Sequence, residues 1–553
     1  MSQLHLPRSG GRRADVSRRR FLRNAAGVGI GIPLGASALA ACSSDDDGGF
    51  ADPGEPEDTP DPGNDGDIEQ FTGTLTIATL NNPHDDAKRA LEAAYQERQP
   101  NVQFVWETQD LGPEEYDTFL TTQLAAGDVR FDLVSGNYAP TFDGYVNLDQ
   151  YQTAINQYTG NPWNEDLNWN FGIARNQQGE RIRLASQSVF ANWYYNADVF
   201  ADLGLDVPAT WDELVAVCEE LAASGITPVS TAWSWQVPQW LGGIYFDAYH
   251  THWVEHVRAQ PDDYNYNPAQ DDPFDANNPN LHSSYTYNLT RFLAGLRDGE
   301  LRYDTDEVAE LVSELKRVYP VHAPGDFFVN DDPYAPFIRR NTAMMVNGGW
   351  AIGSLLNDME EMSDERLEEL GLEAGQFETF EWSTFDHPPM TTPGVKTEWM
   401  RSVESASGEY ISVVDQGGEQ TRMALDFAMF WLSEPGHTPY IEAAAAVGDF
   451  TPAGGIQVAG VEMPSEFAAI FADLEVRGNG SANYTGYFVG PGGSDFQTDK
   501  LNLLQAALED DITPEEYASQ LQQYHEDNLD GILEFHERTH DDLDNPERQP
   551  EAL

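Results

Sequence analysis

The sequence predicts an α/β fold, and the strand and helix signals at the start of its folded part carry that expectation. TLTIATL (Thr74 to Leu80) is rich in β-branched residues and gives way, after NNPHDD, to the helical spacing of AKRALEAAYQERQP. NVQFVWET, from Asn101, has strand character again, and EEYDTFLTTQLAAG repeats the helical period up to a stop at Gly127. FDLVSGN (Phe131 to Asn137) then supplies a short apolar run, the mark of a buried strand. Strands that alternate with helices pair in parallel, because each helix carries the chain back along the sheet. Open sheets of this kind bind ligands beyond the carboxyl ends of their strands. Attention therefore falls on Asn81, Asn82 and His84 after the first strand, and on Ser135, Gly136 and Asn137 after the third.

The stretch NWYYNADVFADLGLDVPATWDEL (Asn192 to Leu214) compresses a strand and two helix signals into a corner. Asn192 to Tyr195 is strand-like. Asn196 is placed to cap a helix over Ala197 to Leu203, which Gly204 ends in the left-handed conformation. Pro208 keeps the chain extended, and Thr210 with Glu213 has capping-box spacing for the next helix. There Trp211, Leu214, Val215, Cys218, Leu221 and Ala222 recur three and four apart, so one face is expected to be buried. GITPVS (Gly225 to Ser230) reads as a buried strand that runs into a tryptophan cluster at Trp233, Trp235 and Trp240.

The first 42 residues carry seven arginines and one aspartate, and SRRRFLR (Ser17 to Arg23) precedes a Gly-rich apolar stretch that stops at Leu39-Ala40-Ala41-Cys42. That stretch is too short and too broken by glycine for a membrane span, so residues 1–42 read as an export leader. Arg18 and Arg19 look like a twin-arginine signal. The Leu39 to Cys42 segment resembles a bacterial lipobox, which implies lipidation of Cys42 and an anchor on the outer face of the cytoplasmic membrane. A plain signal-peptide cleavage site is the alternative. Residues 43–70, rich in Asp, Glu, Pro and Gly, read as an acidic tether without the apolar content to fold.

Formal net charge is −63, and removing the leader's seven arginines and one aspartate takes it to −69. Phosphate backbones need clustered cations, so nucleic acid is excluded as a partner. Lysine occurs only at positions 88, 316, 396 and 500. So acidic and lysine-poor a surface fits a high-salt, halophilic setting in which self-repulsion is screened; a GC-rich genome is the competing explanation. With Cys42 lipidated, Cys218 is alone and no intramolecular disulfide remains; its place on an apolar helix face makes it a core residue. Roughly 480 residues between leader and tail suffice for two domains or one two-lobed body.

Five motifs in order then carry a family resemblance. Tyr195-Asn196-x-Asp198-x-Phe200-x-x-x-Gly204-Leu205, continuing through Pro208-x-Thr210-Trp211-Asp212-Glu213-Leu214, resembles the family 1 extracellular solute-binding proteins of ATP-driven sugar importers. LAAGDVRFDLV (Leu124 to Val134), TAMMVNGGWAI (Thr342 to Ile352), ALDFAMFWLSEPG (Ala424 to Gly436) and DFTPA (Asp449 to Ala453) follow the same family order, though Arg130 to Asp132 departs from its usual Pro-Asp pair. The resemblance implies a two-lobed, periplasmic-binding-protein-like (type II) α/β fold with a hinge and an interlobe cleft. It assigns 71–187 and 386–435 to one lobe, 188–385 and 436–540 to the other, and leaves 541–553 as an acidic tail. An aromatic and acidic stretch at 248–280 is extra to the family pattern.

A carbohydrate presents apolar C–H faces and a girdle of hydroxyls, which aromatic rings and planar polar groups respectively match. The family's Asn-Gly-x-Trp tryptophan stacks on sugar, which points to Trp350. Trp233 and Trp235 emerge at the end of a strand, and one of the two is expected to pack inward. Tyr484 and Tyr487 lie where the family places another aromatic contact, and Trp382 lies near the second crossover. With Asn82, His84 and Asn137 these form the expected ligand site. The partners implied are a sugar or oligosaccharide, permease subunits with their ATPases, and the membrane through the anchor, with the protein itself a monomer that needs no cofactor.

Two other classes compete. HERTH (His536 to His540) fits the H-E-x-x-H of zinc hydrolases, with His536 and His540 as ligands and Glu537 as base, but the 13 residues after it offer no third histidine; a surface helix is the plainer expectation. EDNLDGILEFHE (Glu526 to Glu537) imitates a calcium loop with glutamate at its first position and a helical pattern running through it. His250, His252 and His256 read as a solvated helix start rather than a metal site. A cell-surface carbohydrate-binding or adhesion protein is the remaining alternative. No lysine follows a glycine and no G-x-S-x-G occurs, which removes a P-loop and a hydrolase elbow.

Overall fold

The computed structural model describes residues 68–550 apart from 81–84, 110–112, 126–128, 137–141, 143, 170–173, 176–179, 267, 273, 275–284, 361, 374–376, 398–399, 401–402, 448–449, 451 and 472–493. Cys42, the leader and the tether as far as residue 67 lie outside these residues. Strand β1 (Gly73–Leu80) pairs in parallel with β2 (Val102–Gln109) on one side and with β3 (Leu133–Ser135) on the other. Helices Asp85–Gln96 and Pro113–Ala125 make the crossovers, as the alternating pattern requires. Leu75 and Ile77 enter one apolar core and Ala78 another, so β1 is covered on both faces.

Strand β5 (Arg181–Asn196) is long enough to serve two parts of the molecule. Its first half pairs antiparallel with β9 (Val403–Val413) from Leu184 to Phe190. From Ala191 onward it pairs with β7 (Thr342–Gly348), and at Trp193 to Asn196 also with β8 (Trp382–Phe385). Beyond β7 lies β6 (Thr227–Ser230), parallel to it, while the short β4 (Ala174–Arg175) pairs with the start of β5. The sheet order is β2-β1-β3-β9-β5-β7-β6, continuous across the change of partner at Phe190 and Ala191. This is the two-lobed α/β arrangement, with β5 as a strand common to both lobes.

The corner at 192–214 forms for the local reasons its residues give. Asn196 Oδ1 accepts the N–H of Val199 at 3.0 Å, and Gly204 closes the Ala197–Leu203 helix at φ 67°. Thr210 caps the Trp211–Ala223 helix through the N–H of Glu213 at 3.3 Å. The reciprocal half of the expected box is shifted by one residue: Glu213 Oε2 accepts the N–H of Ala209 at 2.7 Å, not that of Thr210. Trp211, Leu214, Val215, Cys218 and Leu221 are buried as expected, but Ala222 is exposed and Val217 takes its place, because the helix rolls toward β6. Burial pushes the Cys218 thiol up to about 12, so it stays an inert core group.

Several expectations are corrected. The Glu434–Ala446 helix, placed from residue 436 in the second lobe, packs against the Asp85–Gln96 and Gly418–Trp431 helices, and Tyr440, Ile441 and Ala444 join the core that holds Leu75 and Leu91. His250 is not solvated: its ring stacks on Phe246 at 3.8 Å between centroids, and burial pushes it down to about 3. HERTH is not one surface helix either. The Leu529–Phe535 helix ends at His536, Glu537 takes φ 52°, and Thr539 caps a new helix at His540–Leu543. Most of the calcium-like window is helical, in Pro514–Asp527 and Leu529–Phe535. The segment after 540 packs rather than trails, with Leu543 buried against Leu293, Ile532 and Leu533. Within 248–280, Trp253, Val254 and Val257 are core residues, so the described part of the extra stretch is built into the second lobe.

Candidate functional site

The carboxyl ends of the parallel strands β6 and β7 bring two tryptophan-bearing segments together. After β6 the chain turns through Thr231 to Trp235 and enters a π-helical turn, Gln236–Leu241, which carries Trp240. Wide turns of that kind recur at functional sites because they displace a side chain from its α-helical position. After β7 two glycines lead into the Trp350–Glu360 helix. Trp235 meets Trp240 edge-on at 4.9 Å between centroids and 83°, and Trp240 meets Trp350 at 5.6 Å and 56°. Trp235 and Trp350 are half-buried, whereas Trp240 between them is almost covered. The result is a row of indoles with partly open ends.

The turn bearing Trp235 is fastened on both sides. Ser234 donates its N–H to Asp331 Oδ1 at 2.8 Å, and Gln236 Oε1 accepts the N–H of Ala232 at 2.8 Å. Trp233 packs inward: it is 4 % exposed and lies on Phe327 and Phe328 at 5.5 and 4.9 Å. Strand alternation would put it on the same face as Trp235, but both residues lie in the turn after β6 and not in the strand. Trp233 is thus a core residue, and Trp235 stands at the end of the indole row.

Beside the row, Asn192 of β5 stands opposite Asn347 of β7 in register, both buried. Asn347 Oδ1 accepts the N–H of Gly348 at 2.9 Å, which fixes the turn into Trp350. Neither carboxamide atom of Asn192 has a hydrogen-bond partner among the described residues. Trp240, Asn192 and Asn347 were not singled out as site residues from sequence. Their signal was faint: a buried polar residue inside an apolar strand shows only once the strand's partner is known.

Trp382 lies elsewhere. It pairs with Asn196, whereas Gly348 pairs with Ala191, five residues back along β5, which puts the two roughly 17 Å apart along the strand. Its ring meets Tyr194 at 6.2 Å on the core side. Ser135 and Gly136 end β3, with Ser135 buried and Gly136 at φ 90°. Asn82, His84, Asn137, Tyr484 and Tyr487 lie outside the described residues.

The guanidinium groups available to an anion are committed. Arg181 pairs with Asp149 at 3.0 Å and lies over the Trp169 ring at 5.1 Å. Arg183 lies over the Tyr410 ring at 4.1 Å, Arg339 donates to the carbonyl of Leu370, and Arg340 pairs with Glu378 at 3.2 Å; Arg401 lies outside the described residues. At HERTH, His536 caps the end of one helix and His540 opens the next, burial pushes His536 down to about 4, and His540 Nε2 meets Asp530 Oδ1 at 2.9 Å. Among the described residues no three His, Cys, Asp or Glu side chains are grouped to hold a metal ion.

Two α/β lobes sharing one sheet, with aromatic residues gathered at strand ends where the sheet changes partner, make the two-lobed fold of the periplasmic-binding-protein-like type II class. Residues 81–310 match the model of the family described as bacterial extracellular solute-binding protein, in agreement with the resemblance read from the two motifs that this span contains. The fold is that of a family 1 extracellular solute-binding protein from Bifidobacterium longum subsp. infantis, at a TM-score of 0.51 and 14% identity over 82% of this chain and 98% of that one. A structure described as a chitin oligosaccharide binding protein aligns with TM-score 0.50 and 16% identity, covering 83% and 99% of the two chains. No curated protein matched the sequence. The family is one of binding proteins, extracellular by description. Among the described residues no helix is long and apolar enough to cross a membrane.

Proposed function

We propose that this protein is the carbohydrate-capturing subunit of an ATP-driven importer, held to the outer face of the cytoplasmic membrane by lipid on Cys42 after twin-arginine export. The observation that carries the reading is the indole row Trp235, Trp240 and Trp350 at the ends of β6 and β7. Indole faces suit the apolar C–H surfaces of a sugar, and the carboxamides of Asn192 and Asn347 suit its hydroxyls. With Arg181, Arg183, Arg339 and Arg340 engaged by carboxylates, rings and carbonyls, a neutral ligand fits better than an anionic one. Asn82, His84 and Asn137 from the first lobe, and Tyr484 and Tyr487 from the second, complete the proposed set; Trp233 and Trp382 do not belong to it.

Capture works without covalent chemistry. A ligand that touches both lobes makes more contacts in the closed form, so it shifts the equilibrium toward closure by its difference in affinity for the two forms. The closed monomer then presents a different surface to permease subunits and their ATPases. The deciding experiment is a thermal-shift and calorimetric screen against neutral mono- and oligosaccharides at low and high salt. A sugar that raises the melting temperature and narrows the particle in solution scattering supports capture. Turnover of the bound compound, or binding with unchanged dimensions, refutes it.

A further inference from the structure

Phe190, the last residue of β5 before its partner changes, holds two other segments at once. Its N–H donates to the carbonyl of Ala453 at 3.0 Å, and its carbonyl accepts the N–H of Gly349 at 2.9 Å. From Ala453 the chain continues along β5: Ser188 donates to Gly455 O at 3.0 Å, and Gln457 donates to Ser186 O at 2.7 Å. Side chains reinforce the contact, with Gln187 Oε1 accepting from Ala453 N–H at 3.2 Å and Ser188 Oγ from Gly455 N–H at 3.1 Å. At its far end the segment reaches the first lobe, where Asn168 donates to Gln457 O at 3.0 Å.

The two glycines before Trp350 are needed for different reasons. A Cβ on Gly348 would stand 2.4 Å from the six-membered ring of Trp350, so the indole lies folded back on that backbone. A Cβ on Gly349 would stand 2.0 Å from the carbonyl oxygen of Ala453, a distance no neighbour tolerates without moving. We propose that Gly349 is a positioning residue. Through it the segment Ala453 to Gln457 acts as a strap that ties the orientation of the Trp350 indole to the angle between the lobes. The inference rests on the reading of Trp350 as a sugar-stacking surface. The physical chain is short: any rotation of the lobes must bend β5 near Phe190, whose carbonyl holds Gly349 and whose N–H holds the strap. Opening therefore moves the ring, and a sugar stacked on the ring favours one hinge angle, which is a coupling between ligand and hinge.

The test uses the full chain labelled with 5-fluorotryptophan, the Trp350 resonance being identified by its loss in Trp350→Phe, together with solution scattering of the empty protein. Gly349→Ala is expected to move the Trp350 resonance, change the radius of gyration of the empty protein and weaken sugar binding by roughly fivefold or more. Gly348→Ala should move the resonance and leave the radius unchanged. Gly325→Ala, whose Cβ meets open space, should change neither. A Gly349→Ala protein with wild-type resonance and radius overturns the proposal. If that variant does not fold, Gln187→Ala, which removes one tie to Ala453, decides: a moved Trp350 resonance supports the strap and an unmoved one refutes it. A wild-type protein that binds no sugar would instead refute the proposed function, and the fluorine and scattering comparisons would still decide the coupling.

Discussion

Replacing Asp426 by asparagine should flatten the pH dependence of this protein's stability. The Asp426 carboxyl is buried on the Gly418–Trp431 helix, where it accepts from the hydroxyls of Tyr95 at 2.7 Å and Tyr158 at 2.5 Å and from Gln157 Nε2 at 2.5 Å. Burial pushes it up from 3.8 to about 6, against the lowering effect of the three donors. Both phenols are raised far above their ordinary range, first by burial, so they remain donors throughout. A carboxyl whose folded pKa exceeds its unfolded value favours folding while protonated. Its contribution is complete below about pH 4 and is lost as the pH rises through 6. A shift of about two units at 1.36 kcal/mol per unit makes the loss about 3 kcal/mol at neutral pH. Urea unfolding of wild type and Asp426→Asn from pH 4.5 to 8 at fixed salt reads the difference directly, since the many exposed carboxylates cancel. The variant should gain relative stability as pH rises, by about 1–3 kcal/mol after allowance for the altered hydrogen bonds. A pH-independent difference between the two proteins would refute the reasoning.

Two further predictions concern the site. Trp350→Ala should weaken sugar binding by tenfold or more, roughly the cost of losing a central aromatic anchor, while Trp382→Ala leaves affinity within about twofold; equal effects in calorimetry would return Trp382 to the site. Protein stripped by chelator and then loaded with zinc should retain no stoichiometric metal, because the positive φ of Glu537 breaks the helix between His536 and His540; one tight equivalent with peptidase activity would reverse that.

What could be read from local sequence was read well at some positions and poorly at others, for identifiable reasons. The Asn196 cap, the Gly204 stop and the β1 to β3 alternation were legible because each depends on neighbours within a few residues. Strand parity would put Trp233 and Trp235, two residues apart, on one face; the turn after β6 separates them, and Phe327 and Phe328, some 90 residues away, take up Trp233. The distance of Trp382 from Gly348 along β5 was not legible, because the register of β8 on β5 lies in the pairing, not in either strand. HERTH had helical spacing, and the positive φ of Glu537 leaves no trace in a count of intervals.

By itself the sequence determined the elements and the charge. These follow from periodicity, capping and composition, which act over single turns and strands. Only the tertiary structure decided which tryptophans meet, which carboxamides face each other, and that Gly349 lies against Ala453. Those contacts join segments a hundred or more residues apart, and their geometry is set by strand register and by backbone hydrogen bonds that no local pattern encodes.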